Sequence, residues 1–442
     1  MSDTYILGCN ALVYTAVACL YFFRTDRKIT IGLFMLSLYA VIAWGGLLYR
    51  SHEYFGMFND DTRPTSIPAL VYLFVALMIF LYPFVKWRSS DIEKAQKPDE
   101  RFFFGIIKIT VAVQIVLLLS IFGDFMTALR ASDVGALRDT MYDANFTIGP
   151  KNYILGLIFR LYMGAKNVIL VMSVYAFLFY KRSHILRIVF LILSFAFPLV
   201  VSTLQAGRDT MVFESFFALF LFILLSNFIK RAWKSRMVIV FGVIGLLVVS
   251  GFAYISASRF DDLASYMFVR YLGEPMVNYE TLLYPDIKGH TGGAAYFFFF
   301  SKLLGLGMPE FETTVEKWDY IESVTGVDGS VFYTMVGALN FEFGFLPTII
   351  IGIILSYIIV RFLKPYNVLT LPKFIVIGVY AHTMIRGGFN LYVQGEWGNL
   401  EILFTIFFAV LFQYKHSNSY VYKLGYKSPI LPQNTIKQPQ LK

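Results

Sequence analysis

Apolar runs of about twenty residues recur from one end of this chain to the other, and this pattern leaves few folds open to it. Twenty helical residues span about 30 Å, the thickness of a bilayer's hydrocarbon core. In hydrocarbon every backbone N–H and C=O must be paired within the protein, so only helices and closed barrels cross. A barrel would show segments of about ten residues with alternating polarity, whereas these runs are continuous. Composition agrees: 57% of the 442 residues are hydrophobic and 15% charged, with a mean hydropathy of +0.63. The expected fold is therefore all-α: a polytopic integral membrane protein of about 11 transmembrane helices, with a large extracytoplasmic loop between spans eight and nine.

The spans fall at roughly 4–23, 29–48, 67–85, 102–122, 153–180, 185–204, 210–229, 237–255, 331–359, 374–385 and 400–413. Gly344 and Pro347 should break or bend the ninth. Lysine and arginine concentrate after spans one, three, five, seven and nine and in the tail, for example at Arg27, Lys94, Arg182, Lys234 and Arg361. By the positive-inside rule these loops are cytoplasmic, and the N-terminus and the long loop lie outside. The net charge of +9 thus reads as a topology signal, with no nucleic-acid partner implied. This divides the chain into a bundle at 1–257, a partly helical extracytoplasmic loop at 258–330, a second bundle segment at 331–416 and a basic cytoplasmic tail at 417–442. Cys9 and Cys19 share the first span, which argues against a disulfide between them. The first run lacks a basic leader and a cleavage site, so it reads as a true span.

Function is sought among polar groups that defy the membrane's preferences. In the stretch 258–296, Arg259, Tyr266 and Arg270 stand at i, i+7 and i+11, which places both guanidinium groups on one helix face with a tyrosine between them. Gly273 and Pro275 should stop that helix. Arg208, in a tight turn between spans six and seven, and Arg386, one turn after His382, add positive charge on the outer side. Such charge opposes the topology signal, and an anionic ligand would explain it, since guanidinium forks grip phosphate bidentately. The alternative is that these arginines pair with Asp261, Asp262 and Glu274. Arg160, Lys166 and Glu342 also fall within apolar runs. The outer loops are rich in aromatics, Tyr271, Tyr296, Trp318 and Trp397 among them, which can stack on sugar rings or form an interfacial belt. Five histidines, with no HExxH and no paired cysteines at zinc spacing, give no metal motif, and no nucleotide-binding glycine motif is present.

Four pieces in order carry a resemblance: Gln205-Ala-Gly-Arg-Asp209; Tyr271-Leu-Gly-Glu-Pro275 followed by Asn278; Gly289-His-Thr-Gly-Gly293 before an aromatic run; and Asn340-Phe-Glu-Phe-Gly-Phe345. Together with span count and loop sizes, the pattern resembles the Wzy-type polymerases of bacterial surface polysaccharides, the O-antigen or oligosaccharide repeat-unit polymerases. The resemblance implies a metal-independent membrane glycosyltransferase without a cofactor, in the bacterial cytoplasmic (inner) membrane. Its substrates would be oligosaccharides on undecaprenyl pyrophosphate, and a chain-length regulator and a flippase are the further partners implied. On that reading Arg270, Glu274 and His290 are the catalytic candidates, with Glu274 and His290 both open as the base. Arg208, Arg259, Arg386, Tyr266 and Tyr271 would bind substrate. The competing readings are an O-antigen ligase and a flippase or transporter for lipid-linked oligosaccharides.

Overall fold

A computed structural model describes residues 3–52, 55, 63–130, 149–180, 184–204, 209–230, 234–235, 239, 242, 250, 264–306, 309, 311, 313–391, 393 and 395–422. The helices in the first half are α1 (Asp3–Arg24), α2 (Ile31–Ser51), α3 (Ile67–Lys86), α4 (Glu100–Arg130), α5 (Tyr153–Phe179), α6 (His184–Leu204) and α7 (Asp209–Leu225), with strand β1 (Lys94–Pro98) before α4. Then come α8 (Ala264–Asn278), a π-helical turn at Tyr279–Leu283, α9 (Phe298–Leu303), α10 (Thr314–Thr325), α11 (Thr334–Phe343) and α12 (Phe345–Phe362). Strand β2 (Val368–Thr370), α13 (Leu371–Arg386), α14 (Gly395–Tyr414) and β3 (His416–Tyr422) complete the order. Among the described residues nine helices, α1 to α7, α12 and α14, are long and apolar enough to cross a membrane. The architecture is nearly all-α and that of a multi-pass membrane protein.

Local chemistry sets several helix starts. Thr30, Ser66, Asn152 and Thr370 each cap a helix by accepting a backbone N–H from its first turn. Each span then divides into a packed stripe and an exposed one. On α1 the buried residues Leu7, Ala11, Tyr14, Ala18 and Tyr21 recur at helical spacing, while Leu12, Leu20 and Phe23 are exposed. Large tyrosines tie spans together through their hydroxyls: Tyr39 donates to the Met384 carbonyl at 2.8 Å and Tyr380 to that of Phe80 at 2.6 Å.

Sidedness follows from what meets at each end. β1 pairs in parallel with β2 and antiparallel with β3, in the order β2-β1-β3. Tyr21 at the end of α1 donates to Val85 near the end of α3, Tyr180 after α5 to Pro98, and Asn227 after α7 to Ser89. The chain after α1, α3, α5, α7 and α12 and the chain after α14 thus share one side, here the sheet side. On the far side Arg50 donates to Asp3 at 2.8 Å, the Thr65 N–H donates to Asp3, and the Ser66 N–H donates to Glu280.

Several expectations need correction. The fold contains a small sheet, formed on one side by two loops and the segment that follows α14. The expected span at 237–255 falls almost wholly outside the described residues. The expected tenth span lies within α13, whose 16 residues run from β2 on the sheet side to Arg386 on the far side and make it shorter than any of the nine helices above. The ninth span does break at Gly344, as expected, whose φ of 86° and ψ of 177° suit glycine alone; its extent is what changes, since only α12, and not the whole of 331–359, is left to cross. α11 is a short helix, buried almost throughout, packed on the far side. Gly273 and Pro275 do not stop α8, which runs to Asn278. Gly273 instead lets α8 meet α2, since a Cβ there would stand 2.1 Å from the Gly45 carbonyl oxygen. Proline removes one N–H from the helix and crowds the carbonyl four residues back, yet α8 continues through Pro275.

Candidate functional site

Four helices bring polar side chains together inside the bundle, near its far side. Glu214 lies five residues into α7, His382 lies four before the end of α13, and Glu401 lies six into α14. At 1.5 Å per residue each is about 6–9 Å below its helix end, so the three share a depth. Asn167 of the longer α5 completes the group. His382 Nε2 is 3.2 Å from Glu214 Oε1, and His382 Nδ1 is 3.1 Å from Asn167 Nδ2. The same Asn167 amide donates to Glu401 Oε2 at 2.7 Å. His382 and Asn167 are fully buried, and Glu214 and Glu401 nearly so.

Two cations balance the carboxylates. Arg386 donates to Thr210 Oγ1 at 3.4 Å and lays its guanidinium over the Phe213 ring, 4.8 Å from the centroid. Both Arg386 and Lys166 lie within electrostatic reach of Glu214 and Glu401. Positive side chains and hydrogen bonds around the two buried carboxyl groups make such a group tolerable in an apolar bundle. Small residues permit the approach. A Cβ on Gly164 would come within 2.5 Å of Leu400 Cβ, and one on Gly378 within 2.7 Å of Val171 Cγ2. Thus α5 seats tightly against both α13 and α14.

The glycine-rich segment and the acidic step singled out in the sequence meet each other. The Thr291 N–H donates to the Phe341 carbonyl at 2.9 Å, and the Gly292 N–H to the Glu342 carbonyl at 2.8 Å. The Glu342 carboxylate is fully buried and accepts from Thr291 Oγ1 and the Gly293 N–H, both at 2.6 Å, and from the Tyr296 N–H. It clasps the loop rather than lying within a span. The Tyr296 carbonyl in turn accepts from Asn399 Nδ2 at 3.0 Å, two residues from Glu401. The loop is therefore anchored to the helix that supplies part of the polar cluster.

The expected site residues separate. Arg386 joins the cluster. Arg270 forks onto Glu274 instead, with Nε to Oε2 at 3.0 Å and Nη2 to Oε1 at 2.9 Å, and Asn278 adds a weaker bond at 3.4 Å. This is the intra-helix pairing that the sequence left open. Tyr266 is fully buried, with its ring 5.8 Å from that of Tyr49 and 5.3 Å from that of His52, so it packs against α2 and presents no open face. Tyr271 is partly buried on the same helix. His290 is exposed and stands against Gly344. Arg208 and Arg259, with Asp261 and Asp262, lie outside the described residues. A link between the two regions exists: Asn278 donates to the Phe332 carbonyl, and the Phe332, Phe389 and Phe213 rings run in edge contact to Arg386.

Reading the sequence for arginines missed Glu214, Asn167 and Glu401. The available signal was an acid or amide inside an apolar run, which is costly without a partner. Among the described residues no three of His, Cys, Asp and Glu converge as a metal-binding group. No family model, curated protein or solved structure matches this chain.

Proposed function

We propose that the protein is a polysaccharide polymerase of the membrane glycosyltransferase class, working on the far side, which we take as extracytoplasmic. It transfers a growing glycan from undecaprenyl pyrophosphate to a new lipid-linked repeat unit in the bacterial cytoplasmic membrane. The observation that carries this reading is the set Arg386, Glu214 and His382, gathered from two helices just below the far side. A leaving pyrophosphate gains negative charge as the anomeric bond breaks, and a fixed guanidinium in a low-dielectric site stabilises it. An adjoining carboxylate and imidazole are the groups that manage an acceptor's proton. The sequence resemblance supplies the substrate class, and the charges near one side of the bundle suit a lipid whose head group lies at that surface. The Arg270–Glu274 pair then acts as a brace for α8 and the loop that follows.

The test is deletion of the gene in its native host, complemented with wild type or Arg386→Ala, with the surface glycan resolved on a gel. The expected result is a single repeat unit in the deletion, a full ladder with wild type, and polymer reduced about a hundredfold or more with Arg386→Ala, the scale of losing one charge-stabilising donor. Loss of all surface glycan in the deletion, the single unit included, would replace this reading with a ligase or flippase.

A further inference from the structure

We infer that Glu214 is the proton acceptor of this site, with its carboxylate held by His382 and the tautomer of His382 set by Asn167. This rests on the polymerase reading above. Asn167 Nδ2 donates to Glu401 Oε2 at 2.7 Å, and the same NH2 faces His382 Nδ1 at 3.1 Å. An NH2 group only donates, so Nδ1 offers its lone pair and the imidazole proton sits on Nε2. That Nε2–H points at Glu214 Oε1, 3.2 Å away. A neutral His382 therefore fixes one carboxylate oxygen of Glu214. The other, Oε2, is buried and has no hydrogen-bond partner among the described residues. A buried carboxylate oxygen left bare is costly, and an incoming hydroxyl would fill it.

The location suits that role. Glu214 lies one turn along α7 from Thr210, the residue to which Arg386 donates, and Arg386 itself is only partly buried. A pyrophosphate on Arg386 would thus have its neighbouring acceptor hydroxyl close to Glu214. The earlier base candidates are less suited. Both oxygens of Glu274 are bonded to Arg270. His290 is exposed beside Gly344, with no carboxylate bonded to it among the described residues. Glu401 also has a bare oxygen, yet it touches His382 only through Asn167.

The step balances as a single displacement. The acceptor O–H bond breaks and its proton passes to Glu214 Oε2. The hydroxyl oxygen's electron pair forms the new bond to the anomeric carbon. The bond from that carbon to the pyrophosphate oxygen breaks, and its pair leaves with the lipid pyrophosphate. Glu214 then releases the proton to water before the next cycle.

The test uses the full chain in lipid nanodiscs, supplied with the host's own repeat unit on undecaprenyl pyrophosphate, and follows chain growth against pH. Glu214→Gln is expected to lower kcat about a hundredfold to ten-thousandfold with KM little changed, the range for losing a general base. Glu214→Asp should recover part of that loss, and Glu401→Gln should lose less than Glu214→Gln. His382→Gln, whose amide can still donate to Glu214, should retain more activity than His382→Leu, and Asn167→Leu should displace the pH profile. Melting curves of each variant separate a folding failure from a chemical one, and the histidine pair carries the test should Glu214→Gln fail to fold. Wild type elongating while Glu214→Gln elongates equally well would overturn the assignment alone, as would a His382→Leu variant equal to His382→Gln. Wild type that builds no chain would remove the polymerase reading and this assignment with it.

Discussion

At the scale of single residues, buried carboxylates on the far side do different work according to their partners. Glu274 is bidentate with Arg270, and Glu342 is satisfied by a hydroxyl and backbone N–H groups. Glu280, in the π-helical turn, accepts the Ser66 N–H at 2.7 Å and leaves Oε1 without a hydrogen bond among the described residues. Burial pushes Glu280 up to about 7, against the bond from the Ser66 N–H, the nearby Thr65 hydroxyl and the charge of Arg50, with Asp3 adding to the rise. An acid whose pKa is higher folded than unfolded binds its proton more tightly in the folded state. Its contribution is fully present below the ordinary value of 4.5 and is lost as pH rises to about 7. The size is about 3 kcal/mol, at 1.36 kcal/mol per unit of pKa. Unfolding of the purified protein followed from pH 5 to pH 8 should show stability falling through this window. Glu280→Gln should flatten the slope, and an unchanged slope in that variant would exclude Glu280 as its source.

Elements meet through two glycines with separate duties. Gly344 makes the turn from α11 to α12 at positive φ, and a Cβ there would lie 2.7 Å from His290 Nε2, the end of an exposed side chain. Gly273 is ordinary helix, but its Cβ would lie 2.1 Å from a backbone oxygen of α2, which cannot swing away. Alanine at either position should destabilise by about 1–3 kcal/mol, through strain at the first and overpacking at the second. Gly273→Ala should be the worse, because the obstacle is main chain. Thermal melting of the two variants reads the order, and Gly344→Ala melting lower would mean that turn strain outweighs the helix contact.

For the molecule as a whole, the decisive property is that the basic loops share a side. The charge pattern predicts that the loops after α1, α3, α5, α7 and α12 lie together, and β1, β2, β3 and the bonds of Tyr180 and Asn227 bring them there. With Cys9 and Cys19 replaced by serine, single cysteines at Arg63 and Lys415 should be modified from opposite faces. An impermeant maleimide should reach Arg63→Cys in intact cells and Lys415→Cys only after the membrane is opened. Labelling of both from outside would reject the topology, and the reverse pattern would invert it.

Much of this was open to the sequence because it depends on the solvent. Bilayer thickness sets the run length of apolar residues, and positive charge resists translocation, so spans and sides are written locally along the chain. The break at Gly344 was legible for the same reason, since glycine's freedom is a property of one residue. What the tertiary structure alone decided was which polar groups face each other. Arg270 and Arg386 look alike in the sequence, yet one forks onto Glu274 four residues along its own helix while the other sits over Phe213 beside Glu214. Glu214, His382, Asn167 and Glu401 come from three distant parts of the chain. Close contacts at Gly164 and Gly378 seat α5 on α13 and α14, α7 brings Glu214 to His382, and no local pattern encodes contacts of that kind.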